Sequence, residues 1–358
     1  MTQASFISQP VAPLDTRHLT FVVGTGRCGS TMISQLLSKH PAVLSLSEFF
    51  TMLHGPKFQQ GIMDAAQFWA LLSAPKPRTT QLLRHGMTTP EFLYPLSDTS
   101  RFNAETGIPA ILLVTLPHLT DEHEALYDEI QHVVSKFPAA RIEQHYARLF
   151  AWLRQRLERR VCVERSGFSL SFISELIRLF PRARFVHIVR DGRECALSMS
   201  RHLAFRLAVL LELASEAQPE GSSSEVQQLE EQIFEQAILK QEIPLEVFGQ
   251  RWSETIVQGL PHLAALPKER VLTISYERLT AQPQLILRHL LTFIDPGLVD
   301  ETWIRSTAAL VHEKPLAWKD LPAGEREALE VACQPGFSAL KDFAKDTAQS
   351  IYYRASQA

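Results

Sequence analysis

Cysteine is scarce in this chain: Cys28, Cys162, Cys195 and Cys333 are the only four in 358 residues, and no two form a CxxC pair. Neither a metal knuckle nor a disulfide framework is indicated, and a reducing compartment is expected. Excess positive charge is also missing. Lys and Arg number 36 against 39 Asp and Glu, a formal net charge of −3, so a nucleic-acid partner is not expected and any anion site must come from a local cluster. Long apolar runs are absent: LAVLL at 207–211 stops between Arg206 and Glu212, far short of the roughly 18 residues of a membrane span. The opening stretch MTQASFISQPVAPLDTRHL lacks the basic start and apolar centre of a secretory leader. A cytoplasmic location without a transmembrane segment is expected, compatible with a homo-oligomer.

What is present is an ordinary globular composition, 45% apolar and 21% charged. Short apolar strands are expected at Leu19–Val23, Ala42–Leu46, Val161–Glu164, Arg184–Val189 and Val271–Tyr276, separated by amphipathic helical patterns. The helical stretches are Thr31–Lys39, Pro138–Arg160, Ser169–Phe180, the turn after Arg190 through Met199, Pro244–Gly259 and Pro283–Phe293. A capping box at Ser224-x-x-Gln227 would start a further helix running to about Glu242, after a hinge over Ala214–Ser224. Strands alternating with helices imply an α/β fold, a parallel sheet of about five strands covered on both faces. Ligands of such sheets bind outside the carboxyl ends of the strands, where the loops after Val23, Leu46, Val163, Val189 and Ile274 would converge. The expected organisation is an N-terminal arm (1–18), one main domain (19–320) and a C-terminal helical extension (321–358). The domain would contain a largely helical insertion (51–140) and a helical cover (203–250) over the second substrate.

The stretch FVVGTGRCGST at 21–31 runs from a strand through a glycine-bearing loop into a helix, an arrangement that offers backbone N–H groups to a phosphate. The spacing Gly24-x-x-x-x-Gly29 is that of a nucleotide P-loop, yet Ser30 stands where such a loop requires lysine. The basic residue is instead Arg27, inside the loop. Ser30 and Thr31 add hydroxyl donors. A second strand-to-helix turn carries Arg190 and, eight residues on, Ser198, a fork and a hydroxyl suited to a separate phosphate.

GTGRCGST together with RFVHIVRDGRECALSM resembles the two signature segments of the sulfotransferases that use 3′-phosphoadenosine 5′-phosphosulfate (PAPS), releasing PAP. The resemblance implies that Arg27, Cys28, Gly29, Ser30 and Thr31 meet the 5′-phosphosulfate, and Arg190 and Ser198 the 3′-phosphate. Cys28 replaces the usual serine of the loop. SYERLTAQP resembles the adenine-side segment and implies Tyr276 near the base. EKPLAWKDL resembles the C-terminal phosphate-closing segment, with Lys314 and Trp318 as its candidates. Within the family the pattern is similar to the bacterial and tyrosylprotein group, where HPxV follows the first helix and a glutamate beyond it acts as base. Here these are His40-Pro41-Ala42-Val43 and Glu48. VERSGF at 163–168 resembles the segment that carries a catalytic lysine in that group, and makes Arg165 its counterpart; arginine can stabilise charge but does not give up a proton.

Sulfuryl transfer, like phosphoryl transfer, depends on positioning and charge stabilisation around a loose in-line transition state. Glu48 would take the acceptor's proton, and Arg27 and Arg165 would stabilise charge on the transferred group. His54, His85, His118 and His202 are rival bases. No metal is required by this scheme. A cysteine beside an arginine at a helix start could also tend toward thiolate, which would make Cys28 oxidisable; the expectation preferred to it is a small, inert buried side chain, with the loop's backbone contacts unaffected.

The acceptor, a small-molecule, sugar or lipid hydroxyl, would be lined by Phe49, Phe50, Met52, Phe58, Phe68, Trp69, Phe92 and Tyr94 on one side. His202, Phe205, Leu210 and Leu211 would line the other. Competing expectations are a P-loop nucleoside kinase or NTPase, and a non-catalytic PAP-binding module.

Overall fold

A computed structural model describes residues 13–53, 58, 61–97, 100–217, 241–313 and 316–346. His54, Lys314, the Ser224–Gln227 box and the helix expected after it lie outside these residues.

Five β-rich segments form the central sheet: β1 (Leu19–Val23), β2 (Val43–Ser47), β5 (Val161–Arg165), β6 (Arg184–Val189) and β7 (Val271–Ser275). Two short strands, β3 (Ile62–Met63) and β4 (Ala140–Arg141), pair antiparallel outside it. Side chains of β1, β2, β5 and β7 are buried at every position, as a sheet covered on both faces requires. The order is β2-β5-β1-β6-β7, and all four pairings are parallel.

Register decides where the loops go. Ser47 lies opposite Arg165, Val22 opposite Arg165, Val23 opposite His187, and Val189 opposite Ser275. The carboxyl ends of all five strands therefore share one edge. Because β1 has β5 on one side and β6 on the other, the chain leaves it at a topological switch point, where a crevice opens.

Helices cover both faces. On one side Phe21 packs within 5.3–5.9 Å of the rings of Phe50, Phe180 and Phe185. The C-terminal helix Ala323–Asp346 lies along helix Leu245–Ala264, where Trp252 meets Phe337 at 5.0 Å and Ser253 Oγ donates to the Ala332 carbonyl at 2.7 Å. Gly249 permits this closeness, since a Cβ there would press on Ala332 and Leu329.

Several local expectations are corrected. Ser169–Phe172 forms a 3₁₀ turn, and the α-helix begins only at Ile173. The Leu170 N–H is spent on the Gly24 carbonyl at 3.1 Å, and Ser169 reaches the Val22 carbonyl at 3.5 Å, so this segment is tied to the β1 end instead of coiling. Residues 214–217 belong to helix Leu203–Ala217 rather than to a hinge, in keeping with the high helix propensity of alanine and glutamate. Helix Leu245–Ala264 overruns the expected Gly259 stop and takes Pro261 inside its last turn. Residues Pro109–Pro117 make two short helices broken at Val114, whose φ of −137° lies outside the helical range. The insertion is helical elsewhere, at Phe49–Leu53, Ala65–Ser73, Pro77–Arg84 and His123–Val134, and the described residues between Arg84 and Ala110 form an irregular link.

Candidate active site

The glycine loop after β1 leads into helix Ser30–Ser38, whose N-cap Gly29 has φ 95°. A side chain at Gly29 would also collide with the Tyr276 ring, so only glycine satisfies both the turn and the packing. Arg27 has φ 55° and Glu48 has φ 56°. Two non-glycine residues in the left-handed region, both at one cavity, mark a backbone held in place by its surroundings.

For Glu48 those surroundings are explicit. Its N–H donates to the Arg165 carbonyl at 2.7 Å, and its Oε2 accepts from the Gly167 N–H at 2.8 Å. Arg165 Nη1 bonds its Oε1. Ser166 Oγ accepts from the N–H groups of Phe50 and Thr51 at 3.0 and 3.1 Å, capping the helix that Glu48 precedes. Beneath lies Glu164, wholly buried, its Ser166 contact 2.6 Å long. Burial, with a smaller push from Glu48, raises its carboxyl to about 8 despite the hydrogen bond from Ser166.

Each arginine of the site has a glutamate. Arg165 pairs with Glu48. Arg27 donates from Nε to Ser198 Oγ at 3.0 Å and from Nη1 to Glu91 Oε1 at 2.9 Å. Arg190 donates to Glu194 Oε2 at 3.1 Å and to the Arg27 carbonyl at 3.2 Å, with its guanidinium 4.6 Å from the Tyr276 ring centre. Glu91 and Glu194 were missed by the sequence reading. Glu194 stands four residues after Arg190 on one helix face, a spacing that could have revealed it. Glu91 lies 64 residues from Arg27, and no local pattern points to it.

Two cavities meet here. A polar one of about 500 Å³ is lined by Arg27, Gly29, Ser30, Thr31, Ser47, Glu48, Glu91, His118, Arg165, Arg190, Ser198, Tyr276 and His312, among others. A more apolar one of about 300 Å³ is bounded by Met52, Leu82, Phe92, Phe168, Phe205, Ala208 and Arg251. Arg27, Ser30, Thr31, Glu48, Glu91 and Arg165 line both. A third recess of about 660 Å³ adjoins Arg190, Ser198, Arg201 and Ala317.

Of the expected site residues, Arg27, Gly29, Ser30, Thr31, Glu48, Arg165, Arg190, Ser198 and Tyr276 are thus brought together. The Cys28 side chain does not join them: it is fully buried, its Sγ fills the space beside Gly24, and burial raises its thiol above the ordinary value, in keeping with the inert side chain and against the thiolate alternative. Trp318 lies outside all three linings. Its ring takes the Arg193 guanidinium at 3.6 Å, while its backbone N–H donates to Glu194 Oε1 at 2.9 Å.

Among the rival bases, His118 lines the polar cavity, and burial, helped by the Arg165 charge, lowers it to about 4. His202 lines the apolar cavity, and His85 lines none of the three. Of the aromatic acceptor candidates, Met52, Phe92, His202 and Phe205 face the apolar cavity. Phe49, Phe50, Phe58, Phe68 and Tyr94 are buried in the main core, Trp69 packs against it, and Leu210 and Leu211 belong to a small separate cluster.

The donor set suits an anionic ligand. Ser30, Thr31 and Arg27 stand at the start of helix Ser30–Ser38, Arg190 just before helix Gly192–Ser200 and Ser198 in that helix's last turn, and the buried Arg165 Nε has no hydrogen-bond partner.

Residues 20–300 match the sulfotransferase family. The chain therefore belongs to the sulfotransferase family. It is a PAPS-dependent sulfotransferase. No curated protein matches its sequence. Among solved structures it is similar to the sulfotransferase domain of the curacin biosynthetic pathway, with 16% identity over 97% of this chain and 100% of that one, and a TM-score of 0.45. The sulfotransferase domain of the Synechococcus PCC 7002 olefin synthase gives 16% identity over 94% and 95%, with a TM-score of 0.44. A sulfotransferase from Mycobacterium avium gives 14% over 98% and 78%, also with a TM-score of 0.44. Among the described residues, no helix is long and apolar enough to cross a membrane.

Proposed function

We infer that this enzyme moves the sulfuryl group of PAPS onto a hydroxyl of a small molecule, sugar or lipid, and that the wall shared by the two cavities is where transfer occurs. The observation that carries this reading is that Arg27, Glu48 and Arg165 line both spaces. PAPS supplies an activated sulfuryl group and a bisphosphorylated leaving group. Ser30, Thr31 and the backbone at the helix start hold the 5′ side. Arg190 and Ser198 hold the 3′-phosphate, and Tyr276 packs beside them. Trp318 acts there through Glu194, which accepts from its backbone N–H.

On the other side, the hydroxyl sits against Glu48. The Glu48 carboxylate keeps a free lone pair on each oxygen after its bonds to Arg165 and the Gly167 N–H, and it accepts the hydroxyl proton as the oxygen attacks. Arg165 sets the carboxylate's orientation and, with Arg27, stabilises charge on the sulfuryl oxygens. Neither arginine gives up a proton. No metal takes part, so turnover is expected to survive EDTA.

A transfer assay with [³⁵S]PAPS against a panel of neutral alcohols, phenols and sugars tests the reaction. A melting shift with PAP but not with ATP is expected; a shift with ATP and Mg²⁺ alone would overturn the reading in favour of a kinase.

A further inference from the structure

Arg27 is not a bare cation waiting for a phosphate. Its guanidinium is held from two sides, by Ser198 at 3.0 Å and by Glu91 at 2.9 Å. Glu91 is itself held, because its Oε2 accepts from His202 Nε2 at 2.9 Å. Four side chains from three parts of the chain thus form a line: Ser198, Arg27, Glu91, His202. The line runs along the border of the cavities. Arg27 and Glu91 line both the polar and the apolar space, and His202 lines the apolar one.

The charge on Glu91 is secure. Burial alone would raise its carboxyl, but the hydrogen bond and charge of His202 outweigh that and hold it at about 2. The pair is only half-shielded, with side-chain exposures of 31% for Arg27 and 21% for Glu91. Water therefore reaches it, and an exchange of partners there costs less than at a buried pair.

We propose that Glu91, anchored by His202, is a positioning residue that acts through Arg27. It keeps the guanidinium at the cavity border before the donor binds, and it competes with the donor's anionic group for the same N–H fork. This inference rests on the sulfuryl-transfer reading above. The consequence is a split between binding and turnover. A carboxylate beside the anion site repels PAPS and PAP, so its charge weakens their binding. The same carboxylate fixes the direction of Arg27, and a misplacement of about 1 Å at such a group can cost on the order of 10²-fold in rate.

The test compares PAP affinity by calorimetry with kcat for [³⁵S]PAPS transfer, in the full chain, for the wild type and three variants. Glu91→Gln removes the charge but keeps the shape. PAP is expected to bind about three- to tenfold more tightly to it, while kcat falls about tenfold or more. His202→Ala loses the anchor, while the Arg27 guanidinium and solvent still favour the Glu91 carboxylate, so kcat falls and the Kd for PAP stays within about twofold. His202→Gln retains an N–H donor for Glu91 and is expected to restore kcat.

Weaker PAP binding together with a lower kcat and a lower Tm in Glu91→Gln would make the residue merely structural and overturn the proposal. Unchanged Kd and kcat would overturn it too, and leave the sulfuryl-transfer reading intact. A wild-type chain that does not bind PAP would bring down both.

Discussion

Two arginine–glutamate pairs stand side by side at the junction of the cavities, and they are built differently. Arg165–Glu48 is sealed, with side-chain exposures of 2% and 7%, and its members come from the paired ends of β5 and β2. Arg27–Glu91 is half-open, with exposures of 31% and 21%, and joins the glycine loop to the irregular link of the insertion. In the sealed pair each charge depends on the other, because removing one partner leaves an uncompensated charge out of reach of water. In the open pair solvent can cover the loss. The difference separates a fixed, buried carboxylate from an adjustable cation at one cavity border.

The sharpest way to break this contrast is at Glu48. Glu48→Gln is expected to lower kcat by about 10²–10⁴-fold while PAP affinity, measured by calorimetry, stays within about twofold. Turnover at the wild-type rate would remove Glu48 as the base, and a variant that binds PAP in a chain with no transferase activity at all would point to a non-catalytic module. Next comes Arg165→Ala, which strands Glu48 beside the buried Glu164. A loss of about 3–5 kcal/mol is expected, read as a marked drop in the urea midpoint. If the midpoint hardly moves, the pair is not sealed as described.

Arg190→Ala tests the phosphate side. Loss of a charge-assisted contact of about 1.5–3 kcal/mol should raise the Kd for PAP roughly 10- to 100-fold, with a smaller effect on any acceptor's KM.

The mildest effect is the pH dependence of stability. Folded Glu164 keeps its proton up to about pH 8, against an ordinary value of 4.5. Between those values the folded chain binds the extra proton, so stability falls as pH rises. His187 and His118 act in the opposite sense. Burial lowers them to about 3 and about 4 from 6.5, so the unfolded chain takes protons first and stability falls as pH drops below 6.5. These groups place the Tm maximum near pH 6.5, the ordinary histidine value. Glu164→Gln should remove the decline between about pH 6.5 and 8 and steepen the acid side; an unaltered alkaline limb would show that Glu164 is ionised in the fold.

The sequence alone determined the sheet, both strand-to-helix turns that border the cavity and most of the residues around them. Glycine spacing, an apolar strand before each turn and a helix after it are local patterns, and local patterns survive without knowledge of the fold. Arg27, Ser30, Thr31, Arg190, Ser198 and Glu48 were legible for that reason. Between thiolate and inert side chain at Cys28 the structure gives the second, because the same glycine loop that exposes its neighbours turns its thiol into the core beside Gly24. Trp318 lies outside the cavity linings, because its segment reaches them through a backbone N–H on Glu194 while its ring stacks on Arg193.

What only the tertiary structure decided is partnership. Glu91 meets Arg27 across 64 residues, and Arg165 meets Glu48 across 117. Such contacts are set by strand order and by where an irregular link happens to pass, and neither leaves a period or a spacing in the chain. The acceptor wall follows the same logic. Phe49 and Phe50 look like Met52 and Phe92 as apolar letters, yet the first two fill the core and the last two face the cavity. Hydrophobicity says that a side chain avoids water; only the packing of the insertion against β2 and β5 says which apolar surface it avoids water against.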